Sequence, residues 1–275
     1  MSIFEEIVGM FSYSFMVRAI IVGGLVALCA SLLGVVLVLK RYSMIGDGLS
    51  HVGFGAMAVG LAFNQAPLMV AIPIVIIAAF LLLRVSENSK IKGDAAIGLI
   101  SSSALAIGMV VNAMSSGTNI DLNSYMFGSI LAIDRSEMVL CIILGIIVIG
   151  AFIYFYNPIF AVTFDENFAR ATGLKVEIYK TILSVLTAVT IVIGMRIMGT
   201  LLISSLIIFP ALSAMRVTHR FKRVMIMSVV ISMFCFFTGL VASYLLELPT
   251  GATIVVSNLC VFIIMTAVGR VKERV

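Results

Sequence analysis

Residues 42–60 read YSMIGDGLSHVGFGAMAVG, and they place an aspartate and a histidine inside an otherwise apolar, glycine-rich run. The run is close to the roughly 20 mostly apolar residues that a membrane-spanning helix needs. An ionisable group at membrane depth costs roughly 2.5–3.5 kcal/mol, so it is rare without a partner or a use. The stretch therefore predicts a membrane helix that carries a functional site, with Asp47 and His51 as its chemically active residues.

The composition of the whole chain extends this prediction beyond one helix. Of the 275 residues, 62% are hydrophobic and 11% are charged, against roughly 45–50% and 25% in soluble domains. A soluble domain of this size could not bury so much apolar surface. The composition excludes a soluble enzyme, a disordered chain and a nucleic-acid-binding domain, and it predicts a polytopic membrane protein.

The breaks between apolar runs divide the chain into helices. The prediction is an all-α fold of about 8–9 transmembrane helices forming one transmembrane domain over residues 1–275. Two turns, at 64–67 and 195–199, are tight enough to leave a re-entrant or broken helix as an alternative to a full span. The candidate spans are 15–39, 42–63, 67–83, 95–115, 136–156, 177–197, 199–215, 224–246 and 251–268.

The distribution of basic residues predicts the orientation of these spans. Cytoplasmic loops of membrane proteins carry an excess of Lys and Arg, which also accounts for the net charge of +5. If the N-terminus lies outside, all of the 18 basic residues fall on the inside except Arg18, Arg135 and Arg196. The sequence thus predicts an outside N-terminus and a cytoplasmic C-terminus.

Asp47 and His51 have the spacing of a metal half-site. Positions i and i+4 share one helix face, and a helix starting at Tyr42 would place them roughly 8 and 14 Å into the membrane core. One carboxylate and one imidazole suit a divalent ion such as zinc or manganese. The alternatives are a structural hydrogen-bonded pair, or intramembrane catalysis with Ser50 or Asp47 served by His51.

A short cytoplasmic helix is predicted near 164–172, outside the membrane. Thr163 followed by Glu166 fits a capping box, acidic residues suit the positive end of a helix, and Gly173 marks its end. The spacing of Phe164 and Phe168 gives this helix an apolar side. Such a helix can lie in a groove of a partner protein or rest on the membrane surface.

Four stretches together resemble the permease subunit of bacterial ABC transporters for zinc and manganese, the family 3 metal-ion permeases. In chain order they are RYSMIGDGLSHVGFGAMAVG, DLNSYMFGSIL, TFDENFARATGL and GTLLISSLIIFPALSA. The similarity covers nearly the whole chain, and the GDGLSH portion is its most specific part. The resemblance implies a type II ABC importer-like permease in the bacterial cell membrane, embedded in lipid and without a nucleic-acid partner.

The resemblance also implies partners and residue roles. It implies a homodimer of this chain with two cytoplasmic ATPase subunits and an extracytoplasmic metal-binding protein. It assigns Asp47 and His51 to the metal path. It assigns the helix near 164–172 to coupling with the ATPase, through Phe164, Asp165, Glu166, Phe168, Ala169 and Gly173.

The expected function follows from these assignments. The chain contains no G-x-x-x-x-G-K-[ST] motif, so ATP is expected on the partner, and the chain is expected to be a transport subunit without enzyme activity or a bound cofactor. The predicted function is import of a divalent metal, with zinc preferred over manganese or iron. The alternative from a different class is a stand-alone secondary transporter or channel that uses the same pair.

Overall fold

The computed structural model describes residues 9, 11–88, 93–114, 128 and 135–272. Throughout these ranges the regular structure is helical and includes no strand, which confirms the all-α prediction. We label the helices α1 to α11 in chain order. They are Ser14–Leu39, Ile45–Ala62, Pro67–Asn88, Gly93–Met114, Arg135–Tyr154, Tyr156–Phe164, Glu166–Ala171, Val176–Met198, Thr200–Val217, Phe221–Leu246 and Thr250–Lys272.

Each of the nine predicted spans coincides with one long helix. Seven of these helices are long and apolar enough to cross a membrane: α1, α4, α5, α8, α9, α10 and α11. The other two are α2, with 18 residues, and α3, whose apolar part is the shorter segment Pro67–Leu82. At the tight turn near 195–199, Gly199 alone separates α8 from α9, and its φ of 85° is a left-handed conformation that glycine adopts readily.

Helix α1 is the centre of the bundle. It packs against α5, α8, α9 and α10, and its side chains at Ala19, Val22, Ala27 and Leu33 are almost completely buried. Hydroxyl groups of α10 reinforce this packing, because Ser232 donates to the carbonyl of Ala27 at 3.0 Å. Apolar helices in a membrane associate through close packing and such interhelical hydrogen bonds.

Helix α2 lies in a second group of helices with α3 and α4. Glycines permit its close approach to α4: a Cβ on Gly55 would collide with the carbonyl of Ala104, and one on Gly108 would collide with the Cα of Gly55. Helix α8 contacts both α2 and α3 and so joins this group to α1. The glycines of α2 therefore serve helix packing, and the helix continues unbroken from Ile45 to Ala62.

The outer helices present apolar side chains on the surface of the bundle. On α5, Ile143, Ile146 and Ile147 are exposed, and on α11 so are Leu259 and Ile263. Such faces are stable in contact with lipid tails but not with water. The exposed apolar surface therefore supports a multi-pass membrane protein.

Candidate functional site

Asp47 lies in the first turn of α2 and His51 in the turn that follows. The helix begins at Ile45 rather than at Tyr42, so His51 is about 9 Å along the helix axis instead of 14 Å. The carboxylate of Asp47 is stabilised there by the positive end of the helix dipole. The shift places both residues closer to the start of α2 than the sequence alone indicated.

The two side chains lie on one face of α2. The Nε2 atom of His51 is 3.7 Å from Oδ2 of Asp47, which is longer than a hydrogen bond between nitrogen and oxygen. Two ligands bound to one tetrahedral zinc ion at about 2.1 Å are about 3.4 Å apart. The separation of these two atoms is therefore close to what a shared metal ion requires.

Both side chains are accessible. The side chain of Asp47 is 44% exposed and that of His51 is 21% exposed in the isolated chain. A cation can therefore reach both groups. Neighbouring Ser50 is fully buried, and its hydroxyl donates to the backbone carbonyl of Asp47 at 2.7 Å. This burial and this hydrogen bond do not favour Ser50 as a nucleophile.

Ser204 on α9 is a third polar residue at this position, and sequence reasoning did not single it out. Its hydroxyl donates to the Thr200 carbonyl at 2.9 Å and lies 3.4 Å from Oδ1 of Asp47. The adjacent serines 204 and 205 inside an apolar helix were the available signal. Their spacing could not reveal which of them faces Asp47, because that depends on how α9 packs against α2.

The described residues contain no cluster of three or more His, Cys, Asp or Glu side chains that could hold a metal ion. Asp47 and His51 are therefore one half of a possible site. A four-coordinate ion would take its remaining ligands from water or from another chain.

The predicted coupling helix is present as α7, with a different N-terminal cap. The predicted capping box at Thr163 is wrong, because α6 continues through Phe164 and the Thr163 hydroxyl donates to the Ile159 carbonyl within it. In a helix interior a threonine hydroxyl commonly donates to the backbone carbonyl four residues earlier. Asp165 is the N-cap instead, and its side chain accepts a hydrogen bond from the Phe168 amide at 2.9 Å.

Gly173 ends this segment as predicted. Its φ is 84°, its amide donates to the Arg170 carbonyl, and the Leu174 amide donates to the Ala169 carbonyl. These two bonds form a Schellman motif, for which glycine is the preferred residue. Helix α7 thus spans Glu166–Ala171, a little less than the predicted 164–172.

The predicted coupling residues point in two directions. Phe164 and Phe168 are 56% and 62% exposed, whereas Ala169 is fully buried and packs with Val162 and Val176 in a small apolar cluster. The exposed aromatic rings are available to a partner protein. Ala169 instead holds α7 against the ends of α6 and α8.

Glu166 faces the membrane helices. Its carboxylate oxygens lie 2.7 Å from Nζ of Lys40 and 2.6 Å from Nζ of Lys180. Burial alone would raise the pKa of Glu166, but the hydrogen bonds and positive charges of the two lysines outweigh this effect and lower its pKa. The carboxylate is therefore ionised at neutral pH and bridges α7 to the end of α1 and to α8.

Comparison with known sequences decides the family of this chain. The profile of the ABC 3 transport family matches residues 12–269. The chain belongs to the ABC 3 transport family. This membership confirms the resemblance to metal-ion ABC permeases that its motifs indicated.

Its relatives include proteins named for two different metals. The chain is 28% identical to the high-affinity zinc uptake system membrane protein ZnuB of Haemophilus influenzae, over 90% of this chain and 94% of that protein. It is 29% identical to the manganese import system permease protein ScaB of Streptococcus parasanguinis, over 94% and 92% of the two chains. The names of these relatives leave zinc and manganese unresolved.

A solved structure has the same fold. A chain of PsaBC from Streptococcus pneumoniae, in complex with a Fab, matches with a TM-score of 0.84 and 29% identity. The match covers 95% of this chain and 94% of that chain. The helical arrangement described above is therefore that of an ABC transporter permease.

Proposed function

We propose that this chain imports a divalent transition-metal ion as the permease subunit of an ABC transporter. The observation that carries the proposal is the Asp47–His51 pair, which offers one oxygen and one nitrogen donor 3.7 Å apart on an accessible face of α2. In an otherwise apolar bundle such a pair is costly unless it has a use. Family membership supplies the transport context.

An incomplete ligand set suits a transport site. A site that held the ion with a full set of protein ligands would release it slowly, and conduction requires binding weak enough to reverse. In a symmetric homodimer, which we propose for this chain, a second copy would present the same pair. The four ligands would act together only while the two copies hold them close, so a movement between the copies would make binding reversible. The metal path would then run between the two copies.

Zinc is the ion that we propose, with manganese as the alternative and iron after it. One imidazole and one carboxylate serve each of these ions, and relatives named for zinc and for manganese are equally similar in sequence. The spacing of the two donor atoms is close to that of a tetrahedral site, the geometry that zinc prefers.

Energy for transport would come from partner subunits. We propose that two cytoplasmic ATPase subunits bind ATP and contact the end of α6 and α7 through the exposed rings of Phe164 and Phe168, and that an extracytoplasmic protein delivers the metal. The ends of α1, α7 and α8 meet at Glu166, and Phe221 at the start of α10 contacts Phe160 and Phe164. These ends therefore share one side of the bundle, as the proposed cytoplasmic face requires.

The test is metal uptake in cells that lack other zinc and manganese importers. Asp47→Ala and His51→Ala are expected to reduce uptake at least tenfold, because each removes one of the two protein donors and a tenfold loss needs only about 1.4 kcal/mol. The matched control is His219→Ala, which removes the second histidine of the chain. Uptake at the wild-type rate in both site variants, at equal protein abundance, would contradict the site assignment.

A second experiment separates the ABC transporter from a stand-alone secondary transporter. The purified chain is reconstituted in vesicles with and without its ATPase and binding protein. We expect metal transport only from the complete complex with ATP. Transport by this chain alone, driven by a proton gradient, would favour the secondary transporter.

A further inference from the structure

Glu166 joins three separate parts of the chain through one carboxylate. One oxygen pairs with Lys40, the residue that caps the end of α1, and the other pairs with Lys180 in the second turn of α8. Both lysine side chains are only 11% exposed, and that of Glu166 is 32% exposed. Partly buried charges of this kind are screened by salt less than surface charges are.

A second ion pair, between α7 and α8, gives a direct comparison. Arg170 pairs with Glu177 at 2.7 Å, but their side chains are 55% and 73% exposed. Such a surface pair contributes little to stability. The Glu166 cluster has the same interatomic distances but lies against the bundle, so a displacement of α7 would act on it directly.

The Glu166 cluster adjoins the helix that carries the metal donors. Lys40 and Lys180 line a cavity of about 30 Å³ together with Ile45 and Leu49 of α2. This volume is enough for about two water molecules. A movement of either lysine therefore has room to occur, and it would change the contacts of the first two turns of α2, where Asp47 and His51 lie.

We propose that Glu166 is the positioning residue through which α7 moves α2 and α8, by means of its ion pairs with Lys40 and Lys180. This inference rests on the proposed function, in which α7 receives the movement of the ATPase. The exposed rings of Phe164 and Phe168 dock the partner, and Glu166 on the inner side transmits the displacement. The energy for this displacement comes from the difference between the contacts that α7 makes with the two states of the ATPase.

The experiment compares ATP hydrolysis with metal transport in the reconstituted complete complex. Glu166→Gln removes the charge with little change of shape. We expect the ATPase to remain bound and to hydrolyse ATP, while the metal ions transported per ATP fall about fivefold or more, the lower end of typical coupling between sites. Glu166→Asp, which keeps the charge on a shorter side chain, is expected to give an intermediate ratio.

The matched control is Glu177→Gln, which removes the exposed pair between α7 and α8 and is expected to leave the ratio unchanged. A wild-type ratio in Glu166→Gln would overturn the proposal. Loss of the ATPase from the Glu166→Gln complex would also overturn it, because Glu166 would then be a docking residue. If the wild-type complex does not transport metal with ATP, the proposed function fails first, and the two failures are thereby distinguished.

Discussion

Ser204 is the residue at which the environment of Asp47 can be tuned without removing a metal donor. Its hydroxyl is 3.4 Å from the Asp47 carboxylate but is held mainly by the Thr200 carbonyl at 2.9 Å. A hydrogen bond of this length, from a hydroxyl that is shared with a second acceptor, contributes about 1 kcal/mol or less. Under the proposed function, Ser204 adjusts the position of the carboxylate, while Asp47 and His51 are the metal donors.

The substitution Ser204→Ala is expected to weaken the apparent affinity for the metal by about fivefold or less, in line with a bond of that strength. Metal uptake measured against metal concentration checks this. The neighbouring Ser205→Ala is the control, because the Ser205 hydroxyl is buried and has no hydrogen-bond partner among the residues that the structure describes. An effect of Ser205→Ala as large as that of Ser204→Ala would contradict a specific contact with Asp47.

At Glu166 the charge cluster predicts a pH dependence of stability. The pKa of Glu166 is lowered in the folded chain, so its contribution is fully present above the unfolded-state pKa of about 4.3. The contribution is lost as the pH falls through the lower folded-state pKa. The unfolding temperatures of purified wild-type and Glu166→Gln proteins should differ most near pH 7, and the difference should shrink below about pH 4.

Glu177→Gln is the matched control for this measurement. Its pair with Arg170 is largely exposed, and a surface pair contributes about 0–1 kcal/mol. The control should therefore unfold close to the wild-type temperature at neutral pH. A difference between wild type and Glu166→Gln that stays constant from pH 7 to pH 3 would show that the lysine pairing is not its cause.

At the scale of the element, α7 has one attached face and one exposed face. Buried Ala169 and the inward carboxylate of Glu166 attach it, whereas the ring of Phe168 remains exposed, as does that of Phe164 at the end of α6. A helix of six residues is too short to be stable alone. Its conformation is held by the Asp165 cap, the Gly173 turn and the small apolar cluster with Val162 and Val176.

Phe168→Ala is expected to weaken ATPase binding by about thirtyfold, because an aromatic side chain central to an interface contributes about 2 kcal/mol or more. The thermal stability of the free permease should not change, since the ring is 62% exposed. Co-purification and titration of the ATPase measure the effect. Phe63→Ala, which removes a ring that is 72% exposed at the end of α2, is the control. An equal loss of ATPase binding in Phe168→Ala and Phe63→Ala would show that the docking surface lies elsewhere.

At the scale of the molecule, the long helices form a bundle, and one of its ends gathers basic and aromatic side chains. The α1–α2 connection, α7 and the start of α10 lie at one end, which carries Lys40, Lys180 and the exposed rings. The proposed orientation places this end in the cytoplasm and the turn between α2 and α3 outside. Helix length and apolar composition alone would permit either orientation.

Single cysteines test the orientation. With Cys260, the exposed native cysteine, replaced by serine, Gln65→Cys is expected to react with a membrane-impermeant maleimide added to intact cells. Lys175→Cys, exposed beyond the end of α7, is expected to react only after permeabilisation, because basic loops face the cytoplasm. The reversed pattern of labelling would invert the proposed topology.

Much of this protein was predictable from sequence, because the determining signals are local. Apolar runs placed all nine long helices, seven of which are long and apolar enough to cross a membrane. The i and i+4 spacing placed Asp47 and His51 on one face, and Gly173 marked the end of α7. These features depend on neighbouring residues, and the lipid environment makes few other conformations possible.

Only the tertiary structure decided which distant residues meet. Ser204 and Asp47 are 157 positions apart, and Glu166 and Lys40 are 126 apart, so no local pattern links them. Their contacts depend on the rotation and packing of apolar helices, which is set by small side chains such as Gly55 and by interhelical hydroxyl bonds. Sequence thus determined that the chain forms membrane helices with an acid–histidine pair. Helix packing decided that Glu166 turns inward to the bundle while Phe168 turns outward to the surface.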